Sequence, residues 1–153
     1  MKQIIRLFLL ISFSFMIFSC KSLPDDSNDY IYIMVYDYEN NALKDVHILL
    51  DDEECGMTDI YGRYILKNSI EDKEKFVFFK QGYETIEIEI EGQKNRFLYI
   101  KMGSGIYYAN QSEQCLDQKK YEQALKYIEK ALTCENRSDY LYLKDVIISR
   151  IEK

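Results

Sequence analysis

Between residues 30 and 102, apolar residues recur at every second position in several short runs. This period of two is typical of a β-strand that buries one face and exposes the other. The clearest examples are Ile31, Ile33 and Val35 in one run and Ile86, Ile88 and Ile90 in another. Further apolar runs lie at 46–50, 64–66, 76–79 and 97–100, with turn-forming residues between them. We therefore predict a mainly β sandwich of about seven short antiparallel strands.

The period changes after residues 103–105, which we predict to be a short flexible joint. Apolar residues then fall three or four positions apart, as on an amphipathic helix. These positions are Tyr121, Ala124, Leu125, Ile128, Ala131 and Leu132, then Tyr140, Leu143, Ile147, Ile148 and Ile151. A weaker helix precedes them at 108–116, and Ser138 or Asp139 can cap the last one. Residues 106–153 therefore form a helical hairpin plus one helix, and the whole chain is α+β.

The first 19 residues have the anatomy of an export signal. Lys2 and Arg6 form a cationic head, and residues 7–18 are an apolar or hydroxyl run that ends at Ser19-Cys20. A run of this length is too short to span a bilayer and remain there. We therefore predict that residues 1–19 are a signal peptide, with a polar segment, 20–29, behind it.

The motif Ile17-Phe18-Ser19-Cys20 resembles the lipobox of bacterial lipoprotein signal peptides. The resemblance implies cleavage between Ser19 and Cys20, with a diacylglycerol and an N-acyl chain on Cys20 as the anchor. Phe18 departs from the pattern, in which a small residue is usual. The alternative is an ordinary secretory signal with a chance cysteine, although Ile17 and Phe18 make a poor small-residue cleavage site. Lipidation would place the chain in a bacterial cell envelope, on the periplasmic side or facing the surface.

After such cleavage, residues 21–29 would be a polar tether that reaches at most about 30 Å when extended. The whole chain has a net charge of −6, but residues 20–105 carry −8 and residues 106–153 are neutral. This acidity argues against a nucleic-acid partner, and against docking on anionic lipid through protein charge.

Three cysteines follow Cys20, and an odd number cannot all pair within one chain. Cys115 and Cys134 fall on two antiparallel helices joined near Lys119, which places them on the order of 15 Å apart along the helices. A disulfide needs Cα atoms within about 7 Å. We therefore predict that both are small buried apolar residues and that Cys55 is a loop thiol.

The candidates for catalysis or metal binding are few. The one histidine, His47, lies between two core residues of a strand and so points to the opposite, solvent-exposed face. Residues 51–59 have acids at some positions of a calcium loop, but Cys55 and Gly62 occupy two ligand positions. A solvated acidic hairpin is the better interpretation. We predict that the protein is not an enzyme, that it has no metal site and that it carries no cofactor other than the lipid.

Four segments of the strand region resemble the carboxypeptidase regulatory-like family of transthyretin-like (prealbumin-type) sandwiches. They are Val35-Tyr36-Asp37, the run at 42–48, Thr58-Asp59-Ile60-Tyr61-Gly62-Arg63-Tyr64, and Lys80-Gln81-Gly82-Tyr83. Asp59 can accept hydrogen bonds from backbone amides ahead of it, and Gly62 can supply the positive φ of a tight turn. The resemblance covers residues 30–102 and implies a non-catalytic accessory or spacer domain.

The run Lys120–Leu132 resembles the second helix of a tetratricopeptide repeat, with Ala124 and Ala131 at the small packing positions. Residues 106–153 hold one such unit and a third helix, whereas about three repeats are needed for independent stability. The helices must therefore pack against the sandwich, another copy of the chain or a partner protein. We expect a non-catalytic interaction or scaffold module that binds an envelope protein.

Tyr30, Tyr32, Tyr36 and Tyr38 fall on one face of the first strand and form a possible binding face. If it is open, the chain could instead be a surface adhesin or a capture protein for a glycan or peptide. If the helical unit covers it, the tyrosines are part of an internal contact. The uncovered apolar faces on both sides favour the second interpretation.

Overall fold

The computed structural model describes residues 30–67, 73–91 and 96–152. The predicted leader, Cys20 and the tether lie outside these residues. Seven strands come first: β1 Tyr30–Asp37, β2 His47–Leu50, β3 Glu53–Met57, β4 Arg63–Lys67, β5 Glu74–Phe79, β6 Ile86–Ile90 and β7 Arg96–Met102. Three helices follow: α1 Gly105–Asp117, α2 Tyr121–Cys134 and α3 Ser138–Ile151. The predicted α+β class and the strand count are confirmed.

The strands form two sheets, one in the order β4-β1-β7 and one in the order β3-β2-β5-β6. The prediction of purely antiparallel strands is wrong, because β1 and β7 pair in parallel over Ile31–Asp37 and Arg96–Met102. Strand β3 was not predicted as a separate strand, and Cys55 lies within it rather than in a loop.

The inward residues of both sheets share one core, as the alternating pattern predicts. Its members are Ile31, Ile33, Val35, Leu43, Val46, Ile48, Phe76, Phe78, Ile90, Ile100 and Met102. Phe76 and Phe78 are fully buried, and each large apolar side chain removed from water stabilises the fold by about 1.5–3 kcal/mol. The β-structure therefore rests on a single apolar layer between two sheets.

The turn before β4 has the predicted hydrogen bonds. One carboxylate oxygen of Asp59 accepts from the amides of Tyr61 and Arg63, both at 2.8 Å. Gly62 has φ +71°, and an added Cβ there would lie 2.4 Å from the carbonyl oxygen of Val35. The turn is therefore held by a carboxylate and by a glycine that no other residue replaces without strain.

The helices pack in sequence order, α1 on α2 and α2 on α3. Their shared core contains predicted apolar positions, namely Tyr108, Ala109, Cys115, Ala124, Ile128, Ala131, Tyr140 and Ile147. The residue before α3 is Arg137, and no side chain caps that helix, so the predicted capping role of Ser138 or Asp139 is wrong. Within the described residues, no helix is long and apolar enough to cross a membrane.

Residues 103–105, the predicted joint, form hydrogen bonds with the preceding β-structure and with the first helix. The Gly105 amide donates to the carbonyl of Gly82 at 3.0 Å, and the Glu84 amide donates to that of Gly103 at 2.9 Å. Ser104 caps α1 by accepting from the Tyr107 amide at 3.0 Å. The first turn of the helical unit is therefore fixed to the β5–β6 connection.

We predict that Gly62→Ala lowers the free energy of unfolding by more than about 2 kcal/mol, because left-handed φ costs about 1–2 kcal/mol and the Val35 carbonyl must also move. Gly82→Ala is the matched control. Gly82 has φ +80° but no atom within 4 Å of its would-be Cβ, so it should lose only the conformational part. Urea unfolding of both variants measures the difference, and equal losses would contradict this account of the turn.

Candidate functional site

The outer surface of the three-stranded sheet carries a continuous set of aromatic and apolar side chains, which we call the aromatic face. In the middle row, Tyr32 of β1 lies opposite Ile65 of β4 and Phe97 of β7. In the next row Met34 separates Arg63 from Tyr99. The ten outward positions are Tyr30, Tyr32, Met34, Tyr36, Arg63, Ile65, Lys67, Phe97, Tyr99 and Lys101.

Much of the aromatic face is open to solvent. Phe97 is 62% exposed, Tyr99 69% and Ile65 52%. The ring of Tyr32 stacks on that of Phe97, with centroids 4.9 Å apart and planes 18° from parallel. This stack joins β1 to β7 across the surface.

Tyr38 behaves differently from the other three predicted tyrosines. It lies just beyond β1, and its ring stacks on Tyr107 of α1 at 4.9 Å and meets Tyr108 edge-on at 6.4 Å. The helical unit therefore contacts Tyr38 without covering it, because Tyr38 stays 43% exposed. Tyr30, Tyr32 and Tyr36 on the strand are half-buried.

A groove of about 590 Å³ runs along the β4 side of the aromatic face. Its lining includes Tyr32, Met34 and Ile65 from the face and Met57 from β3. Met57 is 50% exposed. The apolar surface therefore continues around the edge of the sheet.

The outer surface of the four-stranded sheet has the opposite character, because ion pairs cross it. Lys75 lies 2.8 Å from Glu87, and Lys73 lies 2.5 Å from Glu89. Glu87 and Glu89 of β6 are both exposed, since they alternate with the apolar residues Ile86, Ile88 and Ile90. This surface resembles an ordinary solvated sheet, so the two outer faces of the β-structure differ in chemistry.

His47 lies on that ion-paired surface, as its position between core residues predicts. Its Nδ1 is 2.7 Å from a carboxylate oxygen of Glu54 on β3, and its ring lies near Phe79. The imidazole is about 42% exposed and the carboxylate 57%. The pair tethers two neighbouring strands at the protein surface.

The acidic segment 51–59 is a hairpin, as predicted. Asp51 and Asp52 form its turn with positive φ, and the Asp51 carboxylate accepts from the Lys75 amide at 2.9 Å. The Asp59 carboxylate is turned to the next loop. Among the residues that the structure describes, no three His, Cys, Asp or Glu side chains are grouped to hold a metal ion.

Cys55, Cys115 and Cys134 are free thiols, and Cys115 and Cys134 are unpaired as predicted. Cys115 is buried, whereas Cys134 is half-buried with its sulfur 3.8 Å from the carbonyl oxygen of Gly103. Burial raises the pKa of Cys134 to about 11 and also raises the pKa of Cys55. Such thiols are protonated at neutral pH and make weak nucleophiles.

The carboxylate of Glu84 is the centre of the junction between the sheets and the helices, a role that the sequence did not reveal. It accepts from the Gly103 amide at 2.7 Å and from the Tyr108 hydroxyl at 2.6 Å. Lys130 of α2 lies 3.9 Å from its second oxygen and 4.9 Å above the Tyr108 ring. The Glu84 side chain is 17% exposed, so these contacts are partly shielded from water.

A second groove, of about 420 Å³, opens between α1 and α3. Ile106 and Ala109 of α1 line one side, and Tyr140 and Tyr142 of α3 line the other. Tyr140 is 4% exposed, and its hydroxyl is buried without a hydrogen-bond partner in the described chain. A buried hydroxyl in this state costs about 1–3 kcal/mol.

Arg137 lies at the mouth of this second groove. Its guanidinium pairs with both carboxylate oxygens of Asp139, at 3.1 and 2.8 Å, and lies 4.9 Å above the Tyr140 ring. The groove thus combines apolar and aromatic side chains with the preorganised Arg137–Asp139 pair, and Asn110 and Glu113 of α1 add further polar groups to its lining.

Comparison with known proteins assigns no family. No family model matches the chain, and no curated protein matches it. Among solved structures, the chain is similar to 3-chlorocatechol 1,2-dioxygenase from Rhodococcus opacus 1CP, with 13% identity and a TM-score of 0.34. The match covers 54% of this chain and 62% of the dioxygenase chain, less than two thirds of that enzyme's length. At this level the likeness assigns neither fold nor activity.

We predict that stability falls above about pH 10 and that Tyr108→Phe makes this fall shallower. Burial, followed by the hydrogen bond to Glu84, raises the pKa of Tyr108 above its ordinary value. A raised pKa in the folded state stabilises the fold below the unfolded-state pKa, and this contribution is lost as the pH rises past it.

At neutral pH, Tyr108→Phe should cost about 1–3 kcal/mol, because Glu84 loses a hydroxyl donor. Tyr142→Phe, at a ring that is 72% exposed, is the control and should change stability by less than about 0.5 kcal/mol. Urea unfolding of both variants at several pH values measures the effect. Parallel curves for the wild type and Tyr108→Phe above pH 10 would contradict the assignment.

Proposed function

We propose that this chain is a lipid-anchored bacterial envelope protein that acts as a non-catalytic protein-interaction or scaffold module. In this proposal Cys20 carries the diacylglycerol and N-acyl lipid, and residues 20–29 tether the folded part to the membrane. The signal anatomy of residues 1–19 and the motif Ile17-Phe18-Ser19-Cys20 support the anchor. Two or more acyl chains give stable membrane attachment.

The finer assignment of the β-structure also belongs to this proposal. We infer a transthyretin-like sandwich of the carboxypeptidase regulatory-like type over residues 30–102. Two facing sheets with one shared core support it, as does the Asp59–Gly62 turn with the hydrogen bonds expected of its motif. Such a domain would serve as a spacer between the anchor and the helices.

The helical unit is proposed to be a partial tetratricopeptide-like unit that receives the partner. The observation that carries this is the groove between α1 and α3, where the buried Tyr140 hydroxyl lacks a partner. That hydroxyl has almost no exposed surface, so a ligand would accept its hydrogen bond only after a neighbouring side chain of the groove had moved. The bond would then recover most of the free energy that the burial costs. The junction at Glu84 holds α1 in place and so fixes one wall of the groove.

The non-catalytic part of the proposal rests on the state of the reactive side chains. The His47 imidazole is held by Glu54 on an open, ion-paired surface. The thiols of Cys55 and Cys134 have pKa values raised by burial, which is the opposite of what nucleophilic catalysis requires.

The anchor is tested by replacing its attachment atom. We predict that wild-type protein, expressed in a bacterium with lipoprotein processing, incorporates a palmitate analogue and stays with the membrane fraction. Cys20→Ser should lose the label, because a serine hydroxyl replaces the thiol to which the lipid is attached, and its membrane-bound fraction should fall. Cys55→Ser is the matched control and should keep the label. An unlabelled wild type that is freely soluble would refute lipidation.

The groove is tested with a photo-crosslinking residue introduced in living cells. At position 106, where Ile106 is 57% exposed and lines the groove, we predict one discrete adduct identifiable by mass spectrometry. Position 141 on α3 is the control, because Leu141 is 47% exposed and is not part of the groove lining. An identical adduct pattern from both positions, or none from 106, would contradict a partner in this groove.

The alternative is a surface adhesin or a capture protein that binds a glycan or peptide through the tyrosines of β1. The open Tyr32–Phe97 stack is the observation that favours it. This alternative expects binding to be lost in Tyr32→Ala and to persist when the groove residues are changed. The scaffold proposal expects the reverse.

A further inference from the structure

The charge of the aromatic face differs in sign from that of the chain. Its ten outward positions include five aromatic rings, three cations and no carboxylate, although the whole chain has a net charge of −6. Arg63 is paired with Asp59 of the adjoining turn at 3.3 Å. Lys101 donates to the neutral side-chain oxygen of Asn40. Lys67 adds a further cation at the opposite end of the face.

We propose that the aromatic face lies against the headgroup region of the phospholipid bilayer to which the chain is anchored. This inference rests on the proposed lipidation of Cys20. Tyrosine rings favour the membrane interface, where an apolar body and a polar tip are both accommodated. Lysines near anionic headgroups contribute about 1 kcal/mol each, and their long stems lie along apolar surface while the charge stays in water.

The position of the face relative to the anchor supports this orientation. Tyr30 is both the first residue of β1 and a member of the face, and Lys67 lies directly opposite it. Residues 21–29 separate Cys20 from Tyr30 and reach at most about 30 Å. The end of the face that carries Tyr30 and Lys67 is therefore the part of the sheet that the anchor keeps nearest the bilayer.

The distribution of acids supports the same orientation. Glu54, Glu87 and Glu89 lie on the outer surface of the other sheet, on the far side of the shared core. Lys73 and Lys75 lie on that surface as well and pair with Glu89 and Glu87, so it is close to neutral. The aromatic face is cationic by comparison, and a negatively charged membrane attracts the cationic side of the domain. The net negative charge of the chain argued against docking on anionic lipid. The surface that would contact the lipid nevertheless carries cations.

A second copy of the chain fits the face less well. Two aromatic faces brought together would bury lysines without a carboxylate from either face to pair with them, and an unpaired buried charge is costly. A soluble glycan would suit the rings, but it would not require the face to begin at the tether. The bilayer is the occupant that accounts for rings, cations and position together.

The chain contains no tryptophan, so a single introduced tryptophan reports its own surroundings. Phe97→Trp places the probe on the aromatic face, at a side chain that is 62% exposed. Phe79→Trp places it on the opposite sheet, at a side chain that is 45% exposed. Each variant is purified in its lipidated form, its acyl mass is verified, and it is reconstituted into vesicles of phosphatidylethanolamine and phosphatidylglycerol with and without brominated chains.

We expect a blue-shifted emission and at least about twofold stronger quenching by brominated lipid for Phe97→Trp than for Phe79→Trp. Tyr99→Trp, on the same face, should behave like Phe97→Trp and guards against a local effect of one substitution. Replacing phosphatidylglycerol by phosphatidylcholine should reduce the quenching, since the cations lose their attraction.

Equal quenching at positions 97 and 79, or none at either in correctly acylated protein, would overturn the inference and leave the anchor intact. The inference would also be overturned, in favour of glycan capture, if brominated lipid did not quench the emission of Phe97→Trp and an acidic polysaccharide shifted its wavelength. Protein that lacks the acyl mass would instead refute the proposed function itself.

Discussion

The contact on which the rest of the molecule depends is the carboxylate of Glu84, because it joins the two cores. It binds a backbone amide at the end of the sheet and a tyrosine hydroxyl in the first helix. A partly buried carboxylate must keep such donors, since an unsatisfied one costs more than the bonds yield. This requirement fixes where α1 starts. The position of α1 in turn determines where the groove between α1 and α3 opens and brings Tyr107 into contact with Tyr38.

The parts of the fold that could be predicted are those in which burial repeats along the chain. Strand β1 and helix α2 each bury a strictly periodic set of residues, and both were found from that period. Strand β3 was missed because its residues, Glu53–Met57, are half-buried or exposed and lack alternation. The parallel pairing of β1 with β7 was missed because strand partners are chosen by the folded topology, which local sequence does not encode.

The aromatic face could be predicted only in part, because regular spacing reveals the residues of one strand but not their neighbours on other strands. The tyrosines of β1 could be placed on one face from their spacing alone, but Ile65 and Phe97 complete that face only through the register of two other strands. The role of Glu84 could not be predicted from the sequence. Its partners lie 19 and 24 residues away, and in the sequence it resembles any other surface acid. The net charge of the chain was misleading as well, because it does not show which surface carries the acidic residues.

The parallel pairing of β1 with β7 decides where the helices stand. In a parallel pair both strands start at the same end, so β7 leaves the sheet at the end opposite to the one where β1 enters. Strand β1 has eight residues, or about 25 Å at roughly 3.3 Å per residue. An antiparallel partner would have brought the helices back beside Tyr30, where β1 begins. Instead the helices begin at the far end of the sheet, about one strand length from the residue at which β1 starts.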